Sequence, residues 1–196
     1  MATCAVTDNL LISCADDDAN AGLQSAYLVF MEQIDTVTLG ALTKDNVTAI
    51  TTVGSAFFTE LQGRFEKGSL TSEMSRENYG KRVERTLNMF VPYMEGTKAQ
   101  ILNNLSSGGK LFVVVASNNL DASSGNRIAY VFGWDKKLQK TGGAMLNVNE
   151  VIEESTGGII GYNLVFTAVA TELIRDLDGD IVVEDGATGT TVSFGA

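Results

Sequence analysis

Between residues 57 and 91 the chain alternates in a way that predicts long extended strands joined by glycine, with polar and charged residues on both faces. The pieces run over about 57–66, 70–79 and 81–91. Gly63 marks a candidate bulge, and Lys67-Gly68-Ser69 and Tyr79-Gly80-Lys81 mark the turns. In the third piece Val83, Leu87, Met89 and Val91 share one face, interrupted by Arg85. Arg82, Glu84, Thr86, Asn88 and Phe90 share the other, the pattern of a half-buried strand. In the second piece neither face is core-like, and an amphipathic helix competes with the strand. A strand that is polar on both faces has no core of its own to hold it. It needs a partner, and copies of the same chain are the simplest one.

The remaining pattern is mostly β. Residues 25–32 (SAYLVFME) form an apolar run, and 36–42 and 46–53 are Thr/Val/Ile-rich short strands with a turn at Lys44-Asp45-Asn46. Pro92 ends the third long strand. A helix is predicted over 97–105, with Thr97 at its start, Ala99, Ile101, Leu102 and Leu105 on its apolar side, and Ser106-Ser107-Gly108-Gly109 as its stop. KLFVVVA (110–116) is apolar on both faces and reads as a core strand. RIAYVFGW (127–134) places Ile128, Tyr130, Phe132 and Trp134 on one side. A mixed strand over 144–153 and a long one over 162–173 follow. Two weak strands, 181–183 and 190–194, lie in a Gly-rich tail. The simplest organisation is an N-terminal arm (1–25), a β-sandwich or barrel core (26–175) carrying the hairpin 57–91 and the helix 97–105, and a C-terminal extension (176–196).

Composition narrows the chemistry. The 196 residues suffice to bury roughly 70 % of the unfolded surface, enough for one real core. The net charge of −10 argues against a sequence-reading nucleic-acid binder, which needs a basic footprint. With 44 % hydrophobic residues, the surface is expected to be rather uncharged, rich in Thr, Ser, Asn and Gly. There is no histidine, so Ser-His-Asp and Cys-His catalysis and His-containing zinc sites are excluded. The two cysteines, Cys4 and Cys14, match no metal-binding spacing and are expected as free thiols. No stretch has the pattern of a signal peptide or membrane span, and the expectation is a soluble chain made in the cytosol.

No motif carries catalysis. Ser106-Ser107-Gly108-Gly109-Lys110 has a phosphate-loop flavour, but the helix precedes it and the strand follows, the reverse of what that loop needs. Asp176-Leu177-Asp178-Gly179-Asp180 begins like a calcium loop, yet Gly179 falls at position 4 and Ala187 stands where the bidentate Glu belongs. Carboxylates cluster at Glu150, Glu153 and Glu154, and at Glu184 and Asp185; paired acids could do glycoside hydrolysis, but nothing shows that these converge and they read as solvated faces. Arg64, Lys67, Arg76, Lys81, Arg82 and Arg85 gather in the long-strand region, interleaved with Glu60, Glu66, Glu73, Glu77 and Glu84. Two readings fit: a charge-matched subunit interface and ordinary surface pairing. Arg64, Lys67, Glu73, Arg76, Arg82 and Arg85 are the candidate interface residues, with no catalytic, cofactor or metal residue expected.

The extended hairpin 57–91, the single helix 97–105, KLFVVVA, RIAYVFGWD and GYNLVFTAVATEL together resemble, in order and texture over about residues 25–173, the tail tube proteins of tailed bacteriophages. The inner-tube proteins of contractile secretion systems share that fold. The resemblance implies a virion protein made in the host bacterial cytoplasm. It implies copies of the chain in rings of six, rings stacked into a hollow tube, other tail proteins as neighbours, and DNA passing non-specifically through a lumen lined by the inner sheet. It also implies that 67–79 and the N-terminal arm reach the adjacent ring, and that neither a cofactor nor a membrane is involved. The acidic, cysteine-bearing arm and the Gly-rich end depart from that pattern and leave a capsid decoration or head or neck role open. A carbohydrate-binding or hydrolytic β-domain is the alternative of a different class.

Overall fold

The computed structural model describes residues 3–7, 10–13, 22–40, 46–54, 56–62, 68–77, 80–92, 94, 96–121, 123–152, 160–185 and 188–195. In chain order the strands begin with β1 (Thr3–Thr7) and β2 (Leu10–Ser13), which pair with each other in a sheet of their own. Then come β3 (Leu23–Phe30), β4 (Ile34–Leu39), β5 (Val47–Thr52), β6 (Thr59–Gln62), β7 (Ser69–Glu77) and β8 (Gly80–Pro92). The helix α1 (Gly96–Ser107) separates these from β9 (Leu111–Leu120), β10 (Arg127–Phe132), β11 (Met145–Ile152) and β12 (Ile160–Ala170). The chain ends with β13 (Arg175–Leu177), β14 (Asp180–Asp185) and β15 (Thr188–Ser193). The protein is therefore mainly β, as its pattern predicts.

Two sheets carry the architecture. A large sheet has the order β4-β5-β13-β10-β9-β3-β6, and a small one the order β11-β12-β8-β7. Strand β9 explains why the large sheet needs cover on both sides. Its Leu111, Val113 and Val115 face the small sheet and α1, where they meet Leu87, Met89, Leu164, Phe166, Leu102 and Leu105. Its Phe112, Val114 and Ala116 face the opposite way, toward Tyr27, Val47, Trp134, Ile181, Val183 and Phe194. A strand buried on both faces has no polar alternation, which is the KLFVVVA pattern. The result is a sandwich whose large sheet is covered on its second face by the β14–β15 hairpin. Both sheets stay open, so the barrel form of the expectation does not apply.

The small sheet runs across the large one. Its β11 edge lies at the start of β9, where Leu111 bridges Ala144. Its β7 edge lies toward the far end of that strand, where Ser69–Ser72 line a cleft with Ser117, Asn119 and Tyr130. Crossed sheets of this kind let twist bring the corners together while the centres stay packed.

Several expectations are corrected. The first long strand does not join the hairpin: β6 is short and pairs with β3 in the large sheet. The long hairpin is β7–β8, and β7 is the strand expected there, the competing helix not forming. What decides it is pairing: all nine residues of β7 are in register with β8. The core strand read over 110–116 runs on through the polar Ser117, Asn118 and Asn119, so that β9 ends at Leu120. The C-terminal 176–196 is not a separable extension, because Leu177, Ile181, Val183 and Phe194 are buried in the second core. Trp134 does not follow Phe132. Gly133, at φ 86°, breaks the alternation and turns Trp134 into the opposite core. A Cβ at Gly133 would lie 2.7 Å from the Leu111 carbonyl oxygen. The helix stands as expected, except that Ile101 is 44 % exposed while Leu102 and Leu105 are buried.

Candidate functional site

The small sheet presents one face to the core and one to solvent. Register places Met145 beside Thr167 and Thr167 beside Thr86, with Thr71 completing that row. The next rows hold Asn147, Val165, Asn88 and Ser69, and then Asn149, Asn163 and the buried Phe90. Over these rows the outward face is mostly amide, hydroxyl and apolar groups, and toward the hairpin turn the same face carries Glu73, Glu84 and Arg82. Cross-strand hydrogen bonds tie it together: Asn88 Nδ2 donates to Ser69 Oγ at 3.1 Å. Strands β11 and β7 form the two lateral edges, and neither has a further strand beside it among the described residues. Such an edge offers a row of N–H and C=O groups to another strand.

The candidate interface residues divide. Arg64 and Lys67 lie outside the described residues. Glu73 and Arg76 are exposed on β7, and Arg82 is exposed on β8. Arg82 is matched within its own chain, its Nη2 lying 2.9 Å from Glu84 Oε1. Glu73 stands directly opposite Glu84, and Arg76 opposite Lys81, so two like-charged pairs face each other across the hairpin.

Arg85 is a correction. It is 1 % exposed, among the largest fully buried side chains, and belongs to no surface. Its Nη1 donates to the Trp134 carbonyl at 2.9 Å, and its Nη2 to the carbonyls of Glu172 at 2.7 Å and Leu173 at 2.9 Å. Its Nε–H has no partner among the described residues. Burial pushes this guanidinium below its ordinary value, while the Asp135 and Glu172 carboxylates oppose the shift. The fork is long enough to carry the charge from the sheet face to the carbonyls of two chain turns, a task for which lysine has the wrong geometry.

Asp135, 1 % exposed, organises the same corner. Its Oδ1 accepts the backbone N–H groups of Lys137 at 2.8 Å and Leu138 at 3.0 Å, and its Oδ2 accepts that of Thr171 at 2.6 Å. Burial alone would raise its pKa, but these bonds and the Thr171 hydroxyl outweigh it, and the carboxyl sits below its ordinary value. Glu172 is held low first by its bond from Arg175, whose Nε lies 2.8 Å from Oε1. The cluster bonds two chain turns, 134–138 and 171–175, to each other and to the β8 strand. It presents no convergent acid–base pair.

The weak motifs resolve as structure. The Ser106 and Ser107 hydroxyls donate to the Asn103 carbonyl, and Gly108 N–H closes the helix on Asn104. Gly179 packs against the Thr48 backbone in a turn. Glu150 lies on β11 and Glu184 and Asp185 on β14, in different sheets, while Glu153 and Glu154 lie outside the described residues. No group of three metal-ligating side chains occurs among the described residues. No helix among them is long and apolar enough to cross a membrane. Comparison with protein-family models, curated proteins and solved structures finds no match.

Proposed function

We propose that this chain is a self-assembling structural subunit of a virion, of the bacteriophage tail-tube kind. Its copies join edge to edge into closed rings, six by the family resemblance, that stack into a hollow tube conducting DNA. The observation that carries the reading is the small sheet. It holds four strands, all antiparallel to their neighbours, and among the described residues neither lateral edge is paired with a further strand, apart from the single Leu111–Ala144 bridge at the start of β11. With an even number of alternating strands, β7 of one copy arrives antiparallel beside β11 of the next. Rotational symmetry then continues the sheet around a ring without a mismatch of direction. Closing the ring removes both edges, the standard cure for an aggregation-prone sheet.

The face left pointing away from each core would line the lumen. It is short of cations and rich in Asn, Thr and Ser, and the chain as a whole is acidic. Phosphates sliding past such a wall meet few charges that would hold them. Negative-stain electron microscopy of the purified chain over a concentration series tests the proposal. Rings or hollow fibres are the expected outcome. A chain that stays monomeric at high concentration, or that binds a glycan array without assembling, overturns it. Trimers that bind only to preformed capsids point to a decoration role instead.

A further inference from the structure

We propose that Glu73 on β7 pairs with a lysine corner at the β11 edge of the neighbouring copy, and that this charge match selects head-to-tail joining over joining of like edges. The proposal deepens the ring reading and rests on it.

Strand register supplies the geometry. Glu73 is directly opposite Glu84, and Glu84 directly opposite Val169. Met145 is opposite Thr167, so the position level with Val169 at the β11 edge is Gly143, two residues before Met145. The Lys110 stem packs against Gly143, where an added Cβ would lie 2.5 Å from the lysine Cβ. Lys110 Nζ donates to the Thr141 carbonyl at 2.5 Å, leaving two of its three donors for other groups. One row across the small sheet thus starts at a carboxylate on one edge and ends at an ammonium on the other.

Each end has a charge to offer. Glu73 is exposed and has no partner among the described residues, while the carboxylate opposite it, Glu84, is engaged by Arg82. Lys110 is joined at its corner by exposed Lys136, Lys137 and Lys140 on the turn that precedes β11. The acids at this corner are Glu172, bonded to Arg175 and to the Lys136 backbone N–H, the fully bonded Asp135, Asp35, which shares a cleft with Lys140, and Glu84 across the sheet face. Lys110 and Lys137 have no carboxylate within salt-bridge distance among the described residues. When β7 meets β11 the row continues from acid to base. When β7 meets β7, or β11 meets β11, like charges face each other, which disfavours isologous dimers and open aggregates.

The test uses charge reversal in the full chain, read by negative stain and mass photometry at low salt. Glu73→Lys and Lys110→Glu are each expected to raise the concentration needed for rings by at least about tenfold. An equimolar mixture of the two is expected to restore rings, because each variant's altered edge matches the other's and an even ring accepts alternating copies. Glu73→Lys/Lys110→Glu in one chain is expected to assemble alone. Should Lys110→Glu disturb the Gly143 turn, visible as a lowered Tm, Glu73→Lys with Lys137→Glu replaces it. Single variants that assemble like the unaltered chain overturn this inference and leave the ring reading intact. An unaltered chain that forms no rings overturns both.

Discussion

Arg85 Nη1 donates a 2.9 Å hydrogen bond to the carbonyl oxygen of Trp134, 49 residues further along the chain. That bond joins the middle of β8 to the turn leaving β10, and the second arm of the fork joins both to the Glu172–Leu173 segment after β12. A charge buried this completely is costly to remove alone, because its removal leaves three carbonyls without donors and Asp135 without a counter-charge. Arg85→Ala is expected to lose about 3–5 kcal/mol in urea unfolding. Arg82→Glu, at an exposed pair, is expected to stay within about 0.5 kcal/mol of the unaltered chain. Equal losses in the two would contradict the division drawn between them.

Stability should decline in acid through the same corner. Asp135 and Glu172 have folded pKa values below their unfolded ones, so each contributes stability that is complete above its unfolded value and is lost as pH falls through the folded one. Unfolding free energy is therefore expected to be flat near neutrality and to drop below about pH 4. Asp135→Asn is expected to lower stability at pH 7 by about 1–3 kcal/mol, since its amide would meet backbone donors. It is also expected to flatten the acid limb. Urea titrations at pH 7, 4 and 3 decide it, and an unchanged acid limb in Asp135→Asn would assign the drop elsewhere.

Gly161 lies opposite Pro92, where β12 pairs with the end of β8. A Cβ there would stand 2.2 Å from the Val91 carbonyl oxygen and 2.7 Å from the Phe90 ring. Backbone cannot yield as a side-chain tip does, so Gly161→Ala is expected to cost about 1–3 kcal/mol by overpacking. A neutral or stabilising result in thermal unfolding would mean that β12 is free to shift.

The C-terminal hairpin is part of the core. Phe194 is buried and meets Tyr27 edge to face, with ring centroids 5.6 Å apart. Phe194→Ala is expected to lose about 3–5 kcal/mol, the range for an aromatic deleted from a packed interior. A loss below 1 kcal/mol, on the scale of a surface change, would restore the reading of 176–196 as an independent tail.

Much of the fold was legible in local pattern. Alternation at Val83, Leu87, Met89 and Val91 announced a half-buried strand, and the unbroken apolar run from Leu111 to Ala116 announced a strand covered on both faces. Pro92 and Ser106–Gly109 bracketed the helix because chain geometry there is set by a missing donor and by glycine. The candidate surface was only half legible. Glu73, Arg76 and Arg82 are exposed, as their polar surroundings suggested, whereas Arg85 shares the parity of its apolar neighbours and goes inward with them. Its intrusion on the apolar face was the available signal; the carbonyls that accept it come from distant residues.

Sequence alone determined which segments extend, which faces they bury, and that histidine chemistry is absent, because side-chain alternation and composition are local properties. Tertiary structure decided that β6 leaves the hairpin for the large sheet, that Leu177, Ile181, Val183 and Phe194 close the second core, and that among the described residues no further strand joins the two edges of the small sheet. Those outcomes depend on pairings between distant strands, whose free energy comes from contacts that no single segment contains.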